Sequence, residues 1–111
     1  MIVGTGIDII ELDHMSRVCK KQPRIFEKIL TPQELTNYHR LSETSQLEFL
    51  CGRYAAKEAF SKAMGTGIGK TVTFQNVSII NNEKGQPLVT ESPFSGRSFV
   101  SISHSDNVSI A

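Results

Sequence analysis

The sequence predicts an α+β fold, and three observations predict it. Residues 2–9 form a β-branched run, a long helical stretch runs without proline or glycine clusters up to Gly65, and beyond it the periodicity changes to two. Strand, then helices, then an antiparallel β meander come in blocks rather than in alternation, which argues against a doubly wound parallel sheet. A chain of 111 residues with 39% apolar and 21% charged side chains is one ordinary domain over 1–111. At this size the core is modest, and oligomerisation is an available source of further burial.

Each element has its own signal. Ile2-Val3-Gly4-Thr5-Gly6-Ile7-Asp8-Ile9 reads as a buried strand. Leu12, Met15 and Cys19 recur at helical spacing and predict a first helix over 11–21. Thr31-Pro32-Gln33-Glu34 has the order of a capping box with proline at the first helical position, so a short helix follows. Ser45-Gln46-Leu47-Glu48 repeats the start signal, which gives a long helix over 46–64 stopped by Gly65. Strands are predicted near 74–80 and 86–90 around the turn at 81–85. Two more follow at 98–104 and 108–111, around Ser105-Asp106-Asn107.

Charge and composition exclude several classes of function. The net charge of +1 gives no whole-molecule field for nucleic acid or membrane binding, and no interleaved basic-aromatic strand is present. No apolar run approaches the ~20 residues of a membrane span, and the first residues lack a signal-peptide pattern. A cytoplasmic protein is expected. Cys19 and Cys51 lack metal-ligand spacing and read as free thiols.

The chemistry starts at Glu58. At about 100° per residue, Leu47, Cys51, Tyr54 and Ala55 lie within roughly 60° of it and Lys62 about 40° away. Glu58 therefore sits in an apolar stripe, whereas Gln46, Arg53 and Lys57 gather on a separate face. A surface Glu58–Lys62 pair is the simplest account, but an unneutralised carboxylate among apolar groups needs a cation, either Lys62 or a metal. Asp8 is misplaced in the same way, since alternation puts it on the face of Ile2 and Ile10. It could instead cap the first helix, with Glu11 as capping partner. Gly4 and Gly6 admit a close approach by a ligand or by the long helix.

Gly65-Thr66-Gly67-Ile68-Gly69-Lys70-Thr71 is not a P-loop, because Met64 stands where its first glycine belongs and a helix precedes it. Two carboxylates from different elements with a lysine nearby do fit a Mg²⁺-phosphate site. Magnesium takes oxygen ligands, commonly one or two carboxylates plus water and phosphate oxygens. The lysine then meets charge developing on the phosphoryl group.

Gly6-Ile7-Asp8-Ile9-Ile10-Glu11, FLCGRYAAKEAFSKAMGTG at 49–67 and Ser101-Ile102-Ser103-His104-Ser105 together resemble the holo-[acyl-carrier-protein] synthases of the 4'-phosphopantetheinyl transferase superfamily. The likeness extends over essentially the whole chain. It implies an α+β homotrimer with active sites between subunits. The implied reaction moves the 4'-phosphopantetheine arm of coenzyme A to a serine of an acyl carrier protein, in fatty acid biosynthesis. By the same resemblance, Asp8 and Glu58 hold Mg²⁺ and Lys62 contacts the pyrophosphate. Asp8 is the nearest base for the serine, and His104, Arg53 and Gly65 serve the coenzyme A.

Arg17, Lys20, Lys21 and Arg24 have the spacing of one helix face if the first helix reaches Pro23. With an acidic carrier as the implied partner, His14, Arg17, Lys21 and Arg24 are the expected docking residues. Two departures stand out. His14 replaces an arginine frequent in the family, and relatives usually continue the last strand past the position of Ala111, so that strand is either short or truncated. The competing reading is a non-catalytic module that binds an acidic carrier protein through the basic helix and uses Asp8 and Glu58 as caps.

Overall fold

A computed structural model describes residues 1–111. The elements in order are β1 (Ile9–Glu11), α1 (Leu12–Lys21), α2 (Ile25–Ile29), α3 (Pro32–Tyr38), α4 (Glu43–Ala63), β2 (Ser78–Asn81), β3 (Pro87–Glu91), β4 (Ser103–His104) and β5 (Val108–Ile110). The fold is α+β as expected, but the strands divide into two sheets. One is three-stranded with order β1-β5-β4, and the other is the β2-β3 hairpin; all pairs are antiparallel. The first strand thus pairs with the last, Ile10 opposite Ser109.

Helix α4 is the axis of the fold, and both of its apolar sides are covered. On one side Leu50, Cys51 and Ala55 pack with Ile10, Leu12, Met15, Ile29 and Leu30. On the other, Ala56 packs with Val72, Val77 and Ile79. The helix starts three residues before its predicted start. Ser42 is the N-cap, its hydroxyl accepting from Ser45 N at 3.5 Å, and Glu43 enters the first turn. It ends where expected, with Met64 as C-cap and Gly65 beyond it in the left-handed region at φ 79°. The capping box of α3 is complete: Thr31 Oγ1 accepts from Glu34 N, and Glu34 Oε1 accepts from Thr31 N.

Three expectations need correction. Residues 2–7 join no ladder, and their side chains are exposed, Ile2 at 79%; only Asp8, half-buried, pairs its backbone with Ala111. The reason is that this segment runs along α4 instead of entering a sheet: a Cβ on Gly4 or Gly6 would collide with the carbonyl oxygens of Ala63 and Ala59. The predicted strand at 98–104 shrinks to Ser103–His104, because residues 98–102 find no pairing partner within the chain, and Phe99 is 88% exposed. Finally, α1 ends at Lys21, the expected bound, so the continuation to Pro23 that would have put Arg24 on its face does not occur. Arg24 instead pairs with Glu27 at 2.8 Å, just ahead of α2, a helix the sequence reading missed.

Candidate functional site

Two features aim Asp8. Its backbone N–H donates to Ala111 O at 2.9 Å and its carbonyl accepts from Ala111 N at 3.0 Å, which sets the extended register just before β1. The glycine-permitted approach of residues 4–6 to α4 then brings the carboxylate to the helix. Lys62 Nζ meets it there, 3.0 Å from Asp8 Oδ1 and 3.0 Å from Ile7 O. The capping alternative for Asp8 falls away, since the N-cap of α1 is Glu11 and no side chain bonds there.

Glu58 comes from α4, one turn before Lys62. It lines an open cleft of about 510 Å³ together with Asp8, Glu11, His14, Tyr54, Ile9, Ile10 and Val108. Burial raises the Glu58 carboxyl above its ordinary value, the charge of Asp8 raises it further, and Lys62 opposes both. Lys62 therefore offsets burial and the like charge of Asp8 only in part, and two carboxylates lining one open cleft leave room for another positive charge. In that sense the donor set fits a divalent cation. Tyr54 is pushed up by burial, then by Glu58 and Asp8, so its phenol stays protonated beside the two carboxylates; its ring stacks on Phe74 at 5.5 Å.

The remaining sequence candidates are placed as follows. His14 is exposed and lines the cleft. Arg17, Lys21 and Arg24 are exposed on and just beyond α1. His104 sits on β4, half-exposed, with Nε2 3.5 Å from Glu48 Oε2, and does not line this cleft. Gly65 is exposed, with open space where a side chain would be.

Arg53 is corrected. It is buried, donates to Ile79 O at 3.2 Å and Asn81 Oδ1 at 2.9 Å, and lies 4.2 Å over the Phe49 ring. Burial lowers its pKa, and its hydrogen bonds tie α4 to β2.

Lys57 is the residue the sequence reading placed wrongly. Assigned to the polar face, it is fully buried and forms a 2.6 Å ion pair with Glu34. Its partner was legible only as a capping residue, and nothing in the local pattern shows that one carboxylate both caps α3 and meets α4. Glu11 and Tyr54 were also passed over as cleft residues. Tyr54 carries a usable signal, four residues before Glu58 on the same helix face.

The sequence pattern of the 4'-phosphopantetheinyl transferase superfamily matches residues 4–111. The chain belongs to this superfamily. A holo-[acyl-carrier-protein] synthase of Levilactobacillus brevis is 54% identical over 108 residues, 97% of this chain and 88% of the relative. One of Streptococcus pyogenes is 50% identical over 107 residues, 96% of this chain and 90% of the relative. Among solved structures, a holo-(acyl-carrier-protein) synthase from Bacillus anthracis in complex with CoA (3',5'-ADP) superposes with a TM-score of 0.91 at 43% identity, over 99% of this chain and 92% of that one. The Neisseria meningitidis synthase does so at 0.90 with 34% identity, over 99% and 94%. The family read from the motifs is therefore the family of the chain, and the chain is a transferase of phosphopantetheinyl type. No helix in it is long and apolar enough to cross a membrane.

Proposed function

We propose that this transferase moves the 4'-phosphopantetheine arm of coenzyme A onto a serine of an apo-acyl carrier protein, in the cytoplasm and in support of fatty acid biosynthesis. The serine oxygen forms a bond to the phosphorus that carries the arm. The pyrophosphate P–O bond breaks, and its electron pair leaves with adenosine 3',5'-bisphosphate. The observation that carries this reading is that Asp8 and Glu58, from opposite parts of the chain, line one open cleft, with Lys62 paired to Asp8.

Asp8 and Glu58 are the residues that would hold Mg²⁺, which when bound supplies charge neutralisation to the pyrophosphate. Lys62 is poised to exchange its Asp8 contact for a phosphate oxygen as negative charge moves to the leaving group. Asp8, the carboxylate with the lysine beside it, accepts the serine proton. His104 and Gly65 belong to the nucleotide end in this proposal, and Arg53, occupied by Ile79 and Asn81, is left out of it.

The carrier docks on Arg17, Lys21 and Arg24, with His14 at the cleft mouth, a positive surface suited to an acidic helical partner. A homotrimer belongs to the same proposal. What supports it is the exposed apolar set Ile2, Val3, Ile7 and Phe99, on two extended segments that lack ladder partners within the chain. The non-catalytic module loses its premise with Asp8, which caps nothing. Intact mass of an apo carrier incubated with the protein, coenzyme A and Mg²⁺ tests the activity, with Glu58→Gln alongside. Gain of the arm with wild type and not with the variant is expected; equal gain removes Glu58 from the reaction.

A further inference from the structure

The buried ion pair behind the cleft calls for an account, because an ion pair in a protein interior gives little net stability over apolar groups of the same shape. Lys57 Nζ spends all three of its protons. It donates to Ile29 O at 2.6 Å, Glu34 Oε1 at 2.6 Å and Phe74 O at 2.8 Å, acceptors supplied by the end of α2, by α3 and by the loop before β2. Glu34 is equally committed, with Oε1 also accepting from Thr31 N and Oε2 from Ile79 N, both at 2.9 Å. Gln75 fastens the same loop to the α2–α3 corner through Lys28 O and Leu30 O. An apolar side chain at position 57 would leave α4 free to turn slightly about its axis; three directed hydrogen bonds to separate elements do not.

From this geometry we infer that Lys57 is a positioning residue for the transfer site: its three-point anchorage fixes the rotation of α4, and with it the direction of Glu58 and Lys62. Glu58 is the next residue along the helix, and Lys62 follows a turn later. Side-chain tips lie roughly 5–6 Å from a helix axis, so a turn of about 15° displaces them by roughly 1.5 Å. Misplacement on that scale is enough for a loss of the order of 100-fold in rate. A second path runs the same way. Lys57 holds the Phe74 backbone, the Phe74 ring stacks on Tyr54, and Tyr54 stands beside Glu58 in the cleft.

The inference rests on the proposed transfer for its kinetic readout and has a structural readout that does not. The test replaces both buried charges, Lys57→Met with Glu34→Met, since removing one alone leaves an uncompensated charge that unfolds many proteins. The paired variant is expected to fold with a lowered thermal midpoint, because Thr31 N and Ile79 N lose their acceptor, so rates are compared well below that midpoint. Its kcat for arm transfer is expected to fall at least tenfold with KM for coenzyme A within twofold, and its crystal structure to show the 3.0 Å Lys62–Asp8 contact opened beyond hydrogen-bonding distance. A variant with kcat within twofold of wild type, or with that contact retained, overturns the positioning role and leaves the pair purely structural. If wild type transfers no arm, the functional proposal fails by itself, and the crystal structure alone decides the inference.

Discussion

Helix α4 carries two lysine–carboxylate pairs, and they differ in every respect except chemistry. Lys57–Glu34 is fully enclosed and closed on itself, each polar atom having a partner. Lys62–Asp8 is open to solvent on the lysine side, and a second carboxylate, Glu58, stands nearby. The closed pair has nothing left to bind. The open one has surplus negative charge and space, which is what a substrate phosphate and its metal require. Completeness of the hydrogen-bond set, rather than residue type, separates the pair that holds the fold from the pair proposed to act.

The largest effect should come from opening the closed pair. Glu34→Gln leaves the Lys57 ammonium buried without its anion and is expected to cost about 3–5 kcal/mol in urea unfolding. A loss below 1 kcal/mol would make the two pairs energetically alike. On the open side, Glu58→Gln is expected to lower transfer at least 100-fold, about 2.7 kcal/mol or more in the barrier, with little change in the urea midpoint. The two substitutions thus exchange their effects between folding and rate.

Gly6→Ala probes what brings the two sides together. Its methyl group meets the Ala59 carbonyl, so a loss of about 1–3 kcal/mol is expected together with a fall in transfer, because the segment that moves carries Asp8. Ser109→Ala sharpens the comparison from below. This hydroxyl is buried on β5 with no hydrogen-bond partner, and removing it should be neutral or stabilise by up to ~1 kcal/mol.

The smallest effect is pH-dependent. Because Glu58 titrates higher in the folded chain than in the unfolded one, its contribution favours folding at low pH and is lost as pH rises through its folded pKa. Without divalent ions, Glu58→Gln should slightly raise Tm at pH 7 and leave it unchanged near pH 3. A variant equal to wild type at both values would mean that neither burial nor Asp8 raises the Glu58 carboxyl in the folded chain.

The legible and illegible parts of the sequence divide along the same line. Asp8 and Glu58 stood out because each breaks a local pattern, a carboxylate on a face that periodicity marks as apolar, and Lys62 followed as the cation one turn beyond Glu58. Thr31 and Glu34 could be read as a capping box because that motif is local in sequence. Lys57 obeys its pattern, falling with Gln46 and Arg53 on a polar face, and only the α2–α3 corner and the Phe74 loop, folded over it from far along the chain, turn that face inward. Arg53 was misread for the same reason, being covered by β2. Residues 2–7 and 98–102 have strand composition in full, but strand assignment requires a neighbour to pair with, and composition cannot supply one.

The backbone clamp between Asp8 and Ala111 ties the geometry around the aspartate to a segment made long after it. A ribosome delivers the aspartate among its first residues, yet the hydrogen bonds that orient it await position 111. A nascent chain already holding all of α4 can seat Gly4 and Gly6 on that helix, but the backbone pairing that fixes the register at Asp8 forms only when the β5 segment arrives.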